Sequence, residues 1–292
     1  MKKRNFKNAL LTIFGFFLVV SCKNNKPSQE IRYIITSPEV AEIIALIEGT
    51  QNIVGVTTEC DFPSELKKIP KVGTFGKVDF EKIIELEPTI VFISGLEQKH
   101  LAAELKKLNI KTELIYPKSV AEMISSIRKI GTLLDKEKRA NFIADSLQTQ
   151  INQFTSSTSS TDSTNSTSST NSTNLPKVYI EIYGNPIMSV SDNSFIGEVI
   201  QLAGGNNIFA HLPRDYSRIK PEDVILADPE IILLTYPGIS AEQIKERKGW
   251  YIISACKNNR IYTVEDINPD LILRASPRII EGMKLLQKAF YE

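Results

Sequence analysis

The chain has little of what metal centres and disulfide scaffolds require: three cysteines and two histidines in 292 residues. Beyond Cys22, Cys60 and Cys256 stand one in each half, which excludes a disulfide-built fold and any cluster with metal-ligand spacing. Two separately buried thiols are expected rather than a cross-link. His100 and His211 are too few to hold a bare zinc or manganese ion mainly through imidazole, so no metal site and no cofactor are expected. No nucleophile and base form a recognisable catalytic constellation, which argues against an enzyme. Apolar residues are missing altogether from positions 155–174, which contain only Ser, Thr, Asn and one Asp. Such a stretch offers no buried area to offset the entropy of ordering and reads as a flexible linker over 155–175. As a coil, its 20 residues of biased composition would span about 25 Å end to end.

The N-terminus carries what the rest lacks. Lys2, Lys3, Arg4 and Lys7 precede an apolar run from Ala9 to Val20, too short to cross a bilayer comfortably and flanked like a secretory signal. The run ends in Ser21-Cys22, which resembles the lipobox of bacterial lipoproteins, where the cysteine is lipidated and becomes the new N-terminus. Residues 1–21 are therefore expected to be a signal peptide and 22–30 a polar tether. The protein is then an exported lipoprotein on the periplasmic side of the cell membrane. Losing the signal removes four positive charges and no negative ones from the formal +1, leaving about −3. No basic field remains for nucleic acid.

A repeat organises the remaining 271 residues. Phe80-Glu-Lys-Ile-Ile-Glu-Leu-Glu-Pro-Thr-Ile-Val-Phe-Ile93 recurs 141 positions later as Pro221-Glu-Asp-Val-Ile-Leu-Ala-Asp-Pro-Glu-Ile-Ile-Leu-Leu234. Each copy places a glutamate, Glu81 or Glu222, in the first turn of a short helix, where the helix dipole favours negative charge. A proline then stops the helix, and apolar residues follow without alternation, as in a strand buried on both faces. Two copies predict two α/β lobes, residues 31–134 and 176–292.

Each lobe has further α/β signals. Ile31–Ile35 reads as a strand, Ser37-Pro38 as a cap with proline at the first helical position, and Gly49 as the helix end. Strand Ile53–Val56 is followed by Cys60-Asp-Phe-Pro63, and strand Val178–Ile182 by Tyr183-Gly-Asn-Pro186. Such loops are where α/β folds hold ligands. Ser276-Pro277 is a second cap-and-proline signal, ahead of Ile279, Ile280, Met283, Leu286 and Phe290. Between the lobes, Ser119 and Glu122 suggest a capping box for a helix with Ile124, Ile127, Ile130 and Leu134 on one face. Asp135 is the expected cap of a connecting helix over 135–154, whose stripe is Ile143, Leu147, Ile151 and Phe154.

The order of Ser37-Pro38, Cys60-Asp-Phe-Pro63, Ile69-Pro-Lys-Val-Gly73, Glu81, Gly204-Gly-Asn-Asn-Ile-Phe209, Glu222 and Arg274-Ala-Ser-Pro-Arg-Ile-Ile280 resembles the periplasmic substrate-binding proteins of ABC importers for cobalamin and ferric chelates. Within that family the likeness is greatest to the cobalamin-binding member. The resemblance implies two Rossmann-like α/β lobes joined by a single long helix, with the ligand in the cleft between them. It implies a monomer that captures cobalamin or a related corrinoid and delivers it to a dimeric permease. A ferric siderophore or haem is the alternative ligand, left open by Tyr183, Tyr216 and His211. Glu81 and Glu222 correspond to glutamates that dock on the permease. Tyr183 and Tyr216 fall at aromatic walls of the cleft, and Asp270 and Arg274 at polar contacts. Phe62 and Phe75 are further ligand candidates from their loops. Ser94 stands where the cobalamin-binding relative has a cleft tryptophan.

Overall fold

The computed structural model describes residues 31–74, 76–95, 99–160 and 175–292. Cys22 with its signal and tether, Phe75, and most of the Ser/Thr/Asn segment lie outside these residues.

In the first half β1 (Tyr33–Ile35), α1 (Pro38–Glu48) and β2 (Ile53–Val56) precede a small hairpin, β3 (Gly73–Thr74) and β4 (Lys77–Val78). Then come α2 (Phe80–Glu85), β5 (Ile90–Ile93), α3 (Lys99–Lys107), β6 (Lys111–Leu114), α4 (Val120–Leu133) and α5 (Glu137–Ser160). The second half begins with β7 (Lys177–Glu181), β8 (Tyr183–Gly184), β9 (Ile187–Val190), α6 (Phe195–Leu202), β10 (Asn206–Asn207), β11 (Tyr216–Arg218), α7 (Pro221–Ala227) and β12 (Ile231–Leu234). It ends with α8 (Ala241–Lys245), α9 (Ser254–Lys257), β13 (Ile261–Tyr262), α10 (Asp270–Leu273) and α11 (Ile279–Tyr291).

Two parallel four-stranded sheets result, ordered β2-β1-β5-β6 and β10-β7-β12-β13, so the halves share one topology. The repeat supplies the same inner strand of each: β5 pairs with β1 and β12 with β7, and both are buried at every residue. The likeness extends to the backbone. Glu87 and Asp228, each just before the repeated proline, both have φ of 46°. The strand direction after a proline needs a sharp exit from the helix, and a left-handed residue supplies it.

One buried cluster joins the halves. It runs from Tyr33 and Ile35 through α1, α4 and α5 to Met283 and Phe290. The predicted stripe of α5, Ile143, Leu147, Ile151 and Phe154, is buried in it, and α5 touches both α1 and α11. Cys60 belongs to this cluster and Cys256 to a second one in the C-terminal half, both as buried free thiols.

Three local expectations change. Asp135 does not cap α5; its φ of 56° makes it the left-handed residue that closes α4, while the Lys136 N–H bonds back to the Gly131 carbonyl at 2.7 Å. Aspartate tolerates that conformation better than most residues. Second, α5 continues to Ser160, six residues past the expected end, with the hydroxyls of Thr155, Ser156 and Ser157 bonded to carbonyls within the helix. A helix already nucleated by packing upstream can run on into such residues, whose hydroxyls then bond back to its carbonyls. Third, Ser276 is no cap. The last helix begins at Ile279, and the turn ahead of it closes through the Ser276 carbonyl rather than its hydroxyl.

The Ser119 cap forms as expected, accepting the Glu122 N–H at 3.1 Å. Glu122 reaches back to the N–H of Lys118 rather than of Ser119. The residue thus fixed at the helix entry, Lys118, is one that faces the cleft.

Candidate ligand cleft

Loops at the carboxyl ends of β1, β5 and β6 bring Glu39, Ser94-Gly95 and Tyr116-Pro117-Lys118 to one wall of a cavity of about 370 Å³. Ends of parallel strands are where an α/β sheet leaves backbone groups and loops free to meet a ligand. The opposite wall comes from the C-terminal half: Ser194 and Phe195 at the start of α6, Asp215 and Tyr216 at β11, and Leu273, Arg274 and Ala275 at the end of α10 and just after it. The lining combines aromatic and aliphatic surface with a few polar groups, as small-molecule sites do.

Three polar ties cross from one half to the other. Lys118 Nζ reaches Asp215 Oδ2 at 2.6 Å, which holds the lysine above its ordinary range. The Val120 N–H donates to Glu198 Oε2 at 2.7 Å. The third tie is the strongest by geometry. Glu42 of α1, buried, accepts from Arg278 Nε at 2.8 Å and Nη2 at 2.6 Å, and from Arg274 Nη1 at 2.9 Å. Arg274 also bonds Asp61 Oδ1 at 3.0 Å, the Glu59 carbonyl at 3.1 Å and Asp270 Oδ2 at 2.8 Å. Arg278 lies over the ring of Phe62, 4.0 Å from its centroid, a cation–π contact.

One turn before Glu42, Glu39 has a different setting. It sits in the first turn of α1 and accepts from the Ser94 hydroxyl at 3.2 Å, with no ion pair among the described residues. Burial pushes its carboxyl up; its own backbone N–H, the Ser37 and Ser94 hydroxyls and the nearby Arg274 charge pull it down less strongly. Burial likewise raises the Tyr216 phenol to about 12.

Of the ligand contacts expected from sequence, Tyr216 and Arg274 line this cavity. Asp270 stands behind it as a partner of Arg274, and burial raises its carboxyl against the pull of that guanidinium. Phe62 is half exposed beneath Arg278. Tyr183 is exposed just past the end of β7, its ring 6.4 Å from that of Tyr236. Tyr236 in turn donates to the buried Glu181, which Arg247 grips with two bonds of 2.6 and 2.7 Å. Neither His100 nor His211 lines the cavity; both are exposed. Glu81 and Glu222 are exposed on α2 and α7, at equivalent places of the two halves.

Glu39, Tyr116, Lys118, Phe195 and Asp215 were not anticipated. Glu39 follows the Ser37-Pro38 cap, and Tyr116-Pro117-Lys118 follows β6, so the post-strand rule that singled out Cys60–Pro63 applied to them as well.

The sequence profile described as periplasmic binding protein matches residues 34–276. The chain belongs to that family and is an ABC transporter substrate-binding protein. It is 29% identical over 259 residues to the substrate-binding lipoprotein YvrC of Bacillus subtilis, covering 87% of this chain and 78% of that one. It is 24% identical over 277 residues to the high-affinity heme uptake system protein IsdE of Staphylococcus aureus, covering 90% and 91%. Among solved structures, the vitamin B12 binding protein BtuF of Vibrio cholerae superposes with a TM-score of 0.75 at 19% identity, over 89% of this chain and 97% of that one. The heme-binding protein RhuT of Roseiflexus gives 0.77 at 21%, over 89% and 98%. At such identities these structures speak for the two-lobed fold alone.

Proposed function

We propose that this substrate-binding protein captures cobalamin or a related corrinoid in the cleft and delivers it to the permease of an ABC importer. The observation that supports a corrinoid is how the charged groups of the lining are paired. Both cleft cations, Lys118 and Arg274, are already bonded to carboxylates of the chain, so neither offers its charge to an anionic ligand. The rest of the lining includes Tyr116, Tyr216, Phe195, Leu273 and Glu39, beside Ser94 and Ser194. That lining suits a bulky amphipathic ring with a neutral, amide-bearing periphery better than a ferric siderophore or the dianionic haem.

Haem is the second reading, favoured by the likeness to IsdE over most of both chains. Titration of the detergent-solubilised full-length chain with cyanocobalamin, cobinamide, haem and a ferric siderophore separates the two. Micromolar or tighter corrinoid binding is expected; binding of haem or siderophore alone overturns the corrinoid reading.

Delivery requires docking, for which the exposed pair Glu81 and Glu222 is proposed, with Cys22 as the lipid anchor that keeps the receptor at the membrane. Charges at an interface rim act on association rate and salt dependence more than on the fold. Glu81→Ala combined with Glu222→Ala should therefore leave ligand affinity within about twofold and cut uptake by cells about tenfold or more. Lost ligand affinity would contradict a docking role.

A further inference from the structure

We infer that Glu39 is a specificity-determining residue of the cleft, accepting a hydrogen bond from a ligand N–H and rejecting ligands that present a carboxylate at the same place. The inference stands on three facts of geometry. Glu39 lines the cavity rather than the lobe interface. It accepts from a neutral hydroxyl, that of Ser94, and has no compensating ion pair among the described residues. The cations nearest the lining are committed elsewhere: Arg274 to Glu42, Asp61 and Asp270, and Lys118 to Asp215. Glu39, when ionised, is therefore the uncompensated charge left facing a ligand.

An ionised carboxylate accepts hydrogen bonds and donates none. A peripheral amide of a corrinoid can give it an N–H, and a charge-assisted bond of this kind is stronger than a neutral one. A ligand carboxylate at the same place offers no proton and meets a like charge in a cleft that screens poorly. Selectivity then arises from repulsion of the wrong ligand as much as from attraction of the right one. The resistance of Glu39 to ionisation in its partly buried site is consistent with a group whose charge lacks a partner until a donor arrives.

Glu39 is given this role on the corrinoid reading, and haem supplies a test that does not depend on that reading. The full-length chain in detergent, with matched micelle blanks, is titrated calorimetrically with cyanocobalamin and with its b-, d- and e-monocarboxylic acids, each carrying one carboxylate in place of a side-chain amide. The original chain should bind at least one of the acids about tenfold more weakly than cyanocobalamin. Glu39→Gln should shrink that gap to within about threefold, and Glu39→Asp, which keeps the charge, should preserve it. For haem, with two propionates, Glu39→Gln should tighten binding by about tenfold. Equal discrimination in the original chain and Glu39→Gln, or an Asp variant that behaves like Gln, overturns the role of the charge. If cyanocobalamin does not bind at all, the corrinoid reading fails. The haem arm still decides on Glu39, since an unchanged haem affinity in Glu39→Gln would then overturn the inference.

Discussion

Glu39 and Glu42 are one turn apart on α1, yet their surroundings give them opposite tasks. Glu42 turns toward the C-terminal half and is gripped by Arg274 and Arg278. Glu39 turns into the cleft and meets hydroxyls. A carboxylate taken from water without a counter-charge costs free energy, whereas the same group with two guanidinium partners fixes the geometry of everything attached to them. One helix thus carries both the clamp that holds the lobes in register and a group facing what they enclose. The clamp ties α1 to the segment before α11 at the cleft itself.

The sharpest way to break this comparison is to remove Glu42. Glu42→Ala leaves Arg274 and Arg278 facing a buried gap, and loss of one partner from a buried charge cluster costs about 3–5 kcal/mol. Denaturant unfolding should show a fall in unfolding free energy of that size. A loss below about 1 kcal/mol would mean that the guanidinium groups are adequately solvated without Glu42 and that the clamp is no clamp.

Glu39→Gln tests the other side, with a smaller effect of opposite sign. Because burial raises the Glu39 carboxyl in the folded state, the folded chain holds this proton more tightly than the unfolded one. Its contribution therefore favours folding below the ordinary carboxylate range and is lost as pH rises through the raised value. At pH 7 the glutamine variant should melt slightly above the original chain, and the gap should close as the pH is lowered toward 4. A variant that melts lower at pH 7 would place Glu39 with Glu42 as a structural acid.

How far the sequence foretold this contrast depends on the range of the interactions. The repeat, its prolines and the stripe of α5 were legible because they are set by neighbours three or four residues away, or by burial of a whole strand. The docking candidates Glu81 and Glu222 were legible from the same repeat. Arg274 was singled out as a cleft contact, but its bonds to Glu42 and Asp61 join residues more than two hundred positions apart, which no local pattern encodes. Tyr216 drew notice through the family resemblance, while its neighbour Asp215 did not, since its partner Lys118 comes from the other half. The end of α5 was misjudged for a different reason. Composition speaks for the isolated chain, and packing upstream carried the helix into Ser and Thr residues that would not start one.

The smallest effect is expected at the tie between Lys118 and Asp215. Lys118 and Asp215 are as close as the Glu42 pairs, at 2.6 Å, but the lysine side chain is half exposed. Water and salt already screen such a pair, and exposed ion pairs contribute about 0–1 kcal/mol. Lys118→Ala should therefore change the unfolding midpoint little. It also frees Asp215 at the cleft wall, adding a second uncompensated acid beside Tyr216. Discrimination against carboxylate-bearing ligands should then increase in Lys118→Ala and weaken as ionic strength is raised from 50 to about 500 mM, where the screening length falls to about 4 Å. A large loss of stability in this variant, comparable to that of Glu42→Ala, would show that exposure does not separate the two ties and that Lys118 shares the clamp's role.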